Sequence, residues 1–319
     1  MQVAHAALTI PFLIFITSVT HAENLKPLIN EPSRKELFSE LIRKKAEKIE
    51  TTDTVEFKLR SDFYFPKDAL YDETADAGGT EKKARTDSIF GIDLSHYTPS
   101  NFPIASLSKK QIRFTYLKAT QGTGYMDGKF TMFWKELDKL PKGQQIHRGA
   151  YHFLSAEKDA KAQASTFVEF LSQNGGLKPT DMPPVMDLEW DKASMKAKDR
   201  WQNKTADQIV AAAKAWLEEV EKQTGRRPMI YTSLVWWRER VGSDRLAEFS
   251  AYPLWIADYS ASSRAVETLN VPKKMPWALW QYTENARMTA GFEGGFDANI
   301  FKGKEADFYS KLNLQRFEP

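Results

Sequence analysis

The chain has 319 residues, 42% of them hydrophobic and 13% aromatic, enough for one large barrel or two ordinary domains with a sizeable core. It contains no cysteine, which excludes a disulfide framework and a thiolate metal site. Its net charge of +3 is too small to argue for nucleic acid and is compatible with an anionic polymer such as a cell wall.

Residues 1–22 read as an export signal. Ala6–Val19 is mostly apolar, too short to span a bilayer comfortably, and Thr20-His21-Ala22 offers a small residue at the cut. No Lys or Arg precedes the run, so the alternative is a retained lipid-proximal anchor. The expected mature chain begins near Glu23 and is exported, periplasmic or extracellular, with no stable membrane insertion after cleavage.

Residues 23–88 read as an N-terminal extension and linker of α+β character. Pro32–Glu50 is a charged amphipathic helix with Leu37, Leu41, Ile42 and Ile49 near helical spacing. Thr54–Leu59 alternates like a strand, and Tyr71–Arg85 has the composition of a linker. On this reading the folded unit begins at Ile89, and a chain starting near Lys83 still folds.

Residues 89–319 alternate strand-like and helical runs. The strands expected are Ile89–Leu94, Arg113–Ala119, Gly149–Leu154, Val185–Leu188, Met229–Thr232, Leu254–Ala257, Ala278–Tyr282 and Ala298–Phe301. Helices are expected over Asp127–Leu140, Glu157–Ser172 and Ala206–Gln223. The last carries a capping box, Thr205 with Gln208, an apolar stripe from Ile209 to Val220, and a terminating Gly225. Alternating β and α elements imply a parallel sheet with helices outside, and eight strands imply closure. The last three strands lie too close for full helices between them. The fold class is therefore α/β, an irregular TIM-like (β/α) barrel of about five βα units plus three further strands.

Catalytic groups of such barrels sit at the C-terminal strand ends. Acids follow several of the apolar runs: Asp93, the pair Asp187 and Glu189, Asp258, and Asp297 near the last strand. In Val185-Met186-Asp187-Leu188-Glu189 a strand places both acids on one face, their Cα atoms roughly 6.5–7 Å apart. Such a pair suits glycosidic bond cleavage, where one carboxyl holds a proton and the other stays charged. The alternative is a solvated Asp-x-Glu at a strand end.

Eight segments in order resemble glycoside hydrolase family 25, the N-acetylmuramidase lysozymes. They are Gly91-Ile92-Asp93-Leu94-Ser95, Leu117–Gly122 with Tyr125 and Asp127, Gly149–Phe153, Asp187-Leu188-Glu189, Ile230-Tyr231-Thr232, Leu254–Ala257, Trp280-Gln281-Tyr282 and Asp297–Phe301. The resemblance implies hydrolysis of the β-1,4 bond between N-acetylmuramic acid and N-acetylglucosamine in peptidoglycan, by a monomer without a cofactor. The chain departs from the family at Gln121, often Glu, and at Gly128, often Pro. A Gln-Gly pair is also missing from His96–Ser100.

By that resemblance the catalytic set is Glu189, Asp187, Asp93 and Asp297. Glu189 is the general acid, expected exposed at a pocket mouth, with its pKa raised by Asp187 and an apolar setting. Asp187 assists the substrate's own acetamido group in a retaining reaction, although the spacing fits direct nucleophilic attack as well. Asp93 and Asp297 shape the charge of the site; their alternatives are a loop-capping Asp and an Asx-turn. Lys118, Tyr125, Tyr151, Tyr231, Trp255 and Gln281 are the substrate-binding candidates, Lys118 toward a substrate carboxylate or in an ion pair with a site Asp. Trp134, Trp216, Trp236 and Trp237 read as packing residues. No metal is expected, since His147 and His152 are five apart and lie on opposite strand faces. The rival functions are a metal-dependent polysaccharide deacetylase and a non-catalytic wall-binding module. The four retained acids argue against the module.

Overall fold

The structure, a computed structural model, describes residues 59–76, 79–194, 196–271 and 275–318. The signal segment, the Pro32–Glu50 helix and the Thr54–Lys58 part of the first expected strand lie outside them.

Eight strands close into a barrel: β4 (Ser88–Leu94), β5 (Ile112–Gln121), β7 (His147–Phe153), β8 (Val185–Asp187), β9 (Met229–Ser233), β10 (Leu254–Ala257), β11 (Leu279–Met288) and β12 (Phe296–Lys302). All the pairings from β4 round to β11 are parallel. β12 runs antiparallel to both β11 and β4 and closes the ring. A two-residue β6 (Tyr125–Met126) folds back on the end of β5. All eight barrel strands expected are present; β8 stops one residue early, at Asp187, and β11 runs six residues further, to Met288.

Helices cover the outside from β5 to β11: α1 (Phe130–Asp138), α2 (Ala160–Gln173), α3 (Ala206–Thr224), α4 (Leu234–Arg240) and α5 (Ala261–Val266). The first two start three residues later than the sequence suggests. Asp127 is spent on His96 and Lys129, and Asp159 is the N-cap of α2, its carboxylate accepting from Ala162 N. α3 has the expected reciprocal capping box, and Gly225 ends it at φ +66°, a conformation that suits glycine. Trp134, Trp216, Trp236 and Trp237 are buried beneath these helices, as expected. A final α6 (Glu305–Lys311) sets Phe308 against Phe114 and Phe301 and closes the lower end.

The barrel interior explains two glycines. A Cβ on Gly91 would stand 2.3 Å from the Phe114 ring, and one on Gly149 would stand 2.2 Å from Tyr116. Each glycine leaves room for a neighbour's aromatic ring to cross the interior.

No helix separates β11, β12 and β4, so their outer face needs another cover. It comes from Leu59–Phe65, which ends in the short β1 (Tyr64–Phe65). Bulges in the β11–β12 pairing bend the far half of β11 outward, where Arg287 and Met288 pair with Tyr64 and Phe65. Phe63 packs against Phe90 at 5.1 Å and Tyr282 at 5.3 Å, and Phe65 stacks on Phe296. Leu59, Phe63 and Phe65 are fully buried in the main core. The stretch read as a linker instead forms a hairpin, β2 (Tyr71–Asp76) with β3 (Gly79–Ala84). Alternation of short polar residues carries little hydrophobic signal, which hid these strands. Behind the hairpin, Arg85 donates to Glu267 at 2.7 Å, and Lys302 meets the other oxygen of that carboxylate at the same distance.

Candidate active site

Asp93 lies one residue before the end of β4 and directly opposite Asp297 near the start of antiparallel β12. Antiparallel strands place the N-terminal part of one beside the C-terminal part of the other. Asp297 therefore reaches the same barrel mouth as the strand-end acids. Asp187 ends β8 in register with Phe153 on one side and Tyr231 on the other. Glu189 follows two residues later, in a bend beyond the end of the strand, so the expected strand does not itself carry both acids. Both acids are buried, Asp187 fully and Glu189 to 1% exposure. The expectation of an exposed Glu189 is therefore corrected: the segment after β8 is drawn inward and tied down.

Two further carboxylates do the tying. Asp191 accepts from Ser155 Oγ at 3.0 Å and Ala156 N at 2.9 Å, and pairs with Arg200 at 2.6 Å. Asp199 accepts from the backbone N–H groups of Asp191 and Trp201, and through its other oxygen from Arg240 and the Trp236 indole. Charge-assisted bonds of this kind hold a loop more firmly than neutral ones. They fix the backbone immediately after Glu189.

Beside Asp93 a buried polar network fills the barrel. Asp93 Oδ2 accepts from Gln281 Nε2 at 2.7 Å and from Asn299 Nδ2 at 2.9 Å. Asn299 Oδ1 accepts from the Trp255 indole at 2.8 Å. Gln281 Oε1 accepts from the hydroxyls of Tyr231 at 2.7 Å and Tyr259 at 2.6 Å. An indole N–H can only donate, so it fixes the Asn299 amide with its NH₂ toward Asp93. Tyr231, Trp255 and Gln281 are thus close to the site but buried, and their polar atoms bear on one another and on Asp93. Trp255 also stacks on Tyr116 at 4.8 Å. Neither Asn299 nor Tyr259 is among the site residues expected from sequence: Asn299 lies within the Asp297–Phe301 motif, whereas Tyr259 has no local signal.

Lys118 and Tyr151 share a register line at the mouth with Val185. The Lys118 ammonium donates to Gln121 Oε1 at 2.6 Å and lies over the rings of Phe153 and Tyr125, 5.0 and 5.5 Å from their centroids. Asp258 turns away from the other acids. Its oxygens accept from Ser260 N and Ser263 Oγ at the start of α5. The two histidines diverge as expected. His152 packs outward on Trp216 between Thr120 and Gln163, and burial lowers its pKa from 6.5 to about 3. His147 sits between the Thr180 carbonyl and the Tyr309 hydroxyl, its pKa also lowered by burial. Among the described residues, no group of three or more His, Cys, Asp or Glu could hold a metal ion.

The closed barrel, with its acids gathered at the C-terminal strand ends, has the layout of a (β/α)-barrel enzyme. Residues 92–290 match the family model described as glycosyl hydrolases family 25, and the chain belongs to that family. It is 29% identical over 220 residues to the Escherichia coli protein YegX, covering 68% of this chain and 70% of that one. It is likewise 29% identical to Lysozyme M1 of Streptomyces globisporus, over 72% of this chain and 73% of that protein. The solved lysozyme of Streptomyces coelicolor superposes with a TM-score of 0.58 at 28% identity, over 72% of this chain and 99% of the other.

Proposed function

We propose that this chain is a lysozyme that hydrolyses the β-1,4 bond between N-acetylmuramic acid and N-acetylglucosamine in peptidoglycan, with Glu189 as general acid. The observation that supports the reading is the pairing of Asp93 with Asp297, which the antiparallel last strand brings to the end of the barrel where Asp187 closes β8 and Glu189 follows it. The substrate's acetamido oxygen attacks the anomeric carbon as the glycosidic C–O bond breaks. Glu189 gives its proton to the departing oxygen, and the Asp187 carboxylate stabilises the cationic ring that forms. Water then opens that ring at the anomeric carbon and returns a proton to Glu189, with net retention. Asp93 is oriented by Gln281 and Asn299, and with Asp297 it sets the charge of the pocket. Lys118, Tyr125 and Tyr151 contact the glycan. Tyr231, Trp255 and Gln281 act one step back, by fixing Asp93.

A cell-wall substrate requires action outside the cytoplasm. The finer reading is export through residues 1–22 with cleavage after Ala22 and function as a monomer. Digestion of purified peptidoglycan, reduction of the products and mass spectrometry test the reaction. Reduced N-acetylmuramic acid at the new ends, unaffected by chelators, is the expected result. New N-acetylglucosamine ends or released acetate would overturn it.

A further inference from the structure

Beyond β4 the structure sets a lysine and three rings in a line leading outward from the mouth. It starts at Lys118, buried and 5.5 Å from the Tyr125 ring centroid. The Tyr125 ring meets His96 edge-on at 5.8 Å, and His96 lies 4.0 Å from Tyr97, tilted by 39°. Exposure rises along this line to 51% at Tyr97, the outermost ring.

The line is rigidly backed. Buried Asp127 accepts from the His96 backbone N–H at 2.8 Å and approaches its Nδ1 at 3.1 Å with the same oxygen. Its other oxygen accepts from Lys129 N. The turn carrying Tyr97 is closed by Thr98 N to Ser95 O and by Ser95 N to the Thr98 hydroxyl. An aromatic ring half in water adds little to the core, yet this one is pre-organised. Holding a ring in place before the ligand arrives lowers the ordering cost of binding. The apolar faces of pyranose rings are the natural partner of such a ring on a path leading from a glycan-cleaving mouth.

We propose that Tyr97, backed by His96 and Asp127, is a stacking platform for a sugar ring of the glycan strand outside the cleavage position. Lys118, Tyr125 and His96 form the track that joins it to the site. This rests on the lysozyme reading and adds to it a subsite that engages long strands only.

The test uses the full chain as wild type, Tyr97→Ala and Tyr97→Phe, on peptide-free peptidoglycan glycan strands of defined length and on the shortest oligosaccharide that is cleaved. Tyr97→Ala is expected to raise KM on long strands about 3- to 10-fold, the worth of one lost ring contact, with kcat unchanged. Tyr97→Phe retains the wild-type KM, and the shortest substrate shows no difference among the three. A wild-type KM for Tyr97→Ala on long strands, or an equal rise at every length, overturns the platform. If the wild type cleaves nothing, the lysozyme reading fails by itself. Calorimetric titration of the same strands then tests the platform separately, with a 3- to 10-fold weaker affinity expected for Tyr97→Ala and equal affinities counting against it.

Discussion

The two sides of the barrel solve the same problem by different means. From β5 to β10, successive helices cover the strands, and the three longest of them are legible in the sequence. No helix separates β11, β12 and β4, and Leu59–Phe65 supplies the cover of their outer face with a few side chains. The proposed active site straddles the seam. Asp187 and Glu189 come from the helix-clad side, while Asp93, Gln281, Asn299 and Asp297 come from the side capped by the N-terminal segment. A helical cover is redundant because many contacts share the load. A cover resting on Leu59, Phe63 and Phe65 is not, and half of the site depends on it.

The largest effect is expected at the site itself. Glu189→Gln keeps the shape of a buried side chain and removes its transferable proton. Hydrolysis of purified wall should fall by about 10²–10⁴-fold, with the melting temperature little changed. Folded Glu189→Gln protein with near-normal turnover would remove the helix-clad side from the chemistry. Asp187→Asn should also cripple turnover, and the two losses should not add, because both groups serve one transition state.

The next effect concerns the cover. Phe63→Ala empties a fully buried position, and chemical denaturation should register a loss of about 3–5 kcal/mol. A chain starting at Lys83 loses Leu59, Phe63 and Phe65 together. At roughly 1.5–3 kcal/mol for each buried side chain, that approaches the whole stability of an ordinary domain. Such a chain is expected to aggregate, contrary to the independence inferred from sequence. If it stays soluble with wild-type stability, the contrast between the two sides collapses.

A smaller effect belongs to His152 on the helix-clad side. Burial depresses its folded pKa to about 3 from 6.5. Below pH 6.5 the unfolded chain binds a proton that the folded chain refuses. The stability this group contributes is thus present above pH 6.5 and lost as pH falls toward 3, at up to about 1.4 kcal/mol per pH unit. His152→Gln should flatten the acid limb of stability against pH by up to one proton; an unchanged slope would show that another group governs acid unfolding. The smallest effect is expected from Glu169→Gln, exposed on α2. Turnover and stability should match the wild type, and any clear loss would call for a role on the outer helical face.

Much of this molecule is local and therefore readable. Strand runs, the Thr205–Gln208 capping box and the terminating Gly225 follow from period and cap chemistry within a few residues of one another. The acids behind those runs mark the mouth for the same reason, since a parallel strand delivers its last residues to one end of the barrel. What depends on partners distant in sequence was hidden. Asn299 reaches Asp93 across 206 positions, and Tyr259 meets Gln281 across a strand boundary. Nothing near either residue announces these bonds. Phe63 and Phe65 lie in a segment too short to display a period, so only the bare outer face of β11, β12 and β4 gives them their place. The burial of Glu189 likewise follows from Asp191 and Asp199 drawing its loop inward. Sequence determined which residues can form strands, helices and charged ends; tertiary structure decided which became buried and what they touch, because burial depends on surfaces that exist only after the barrel closes.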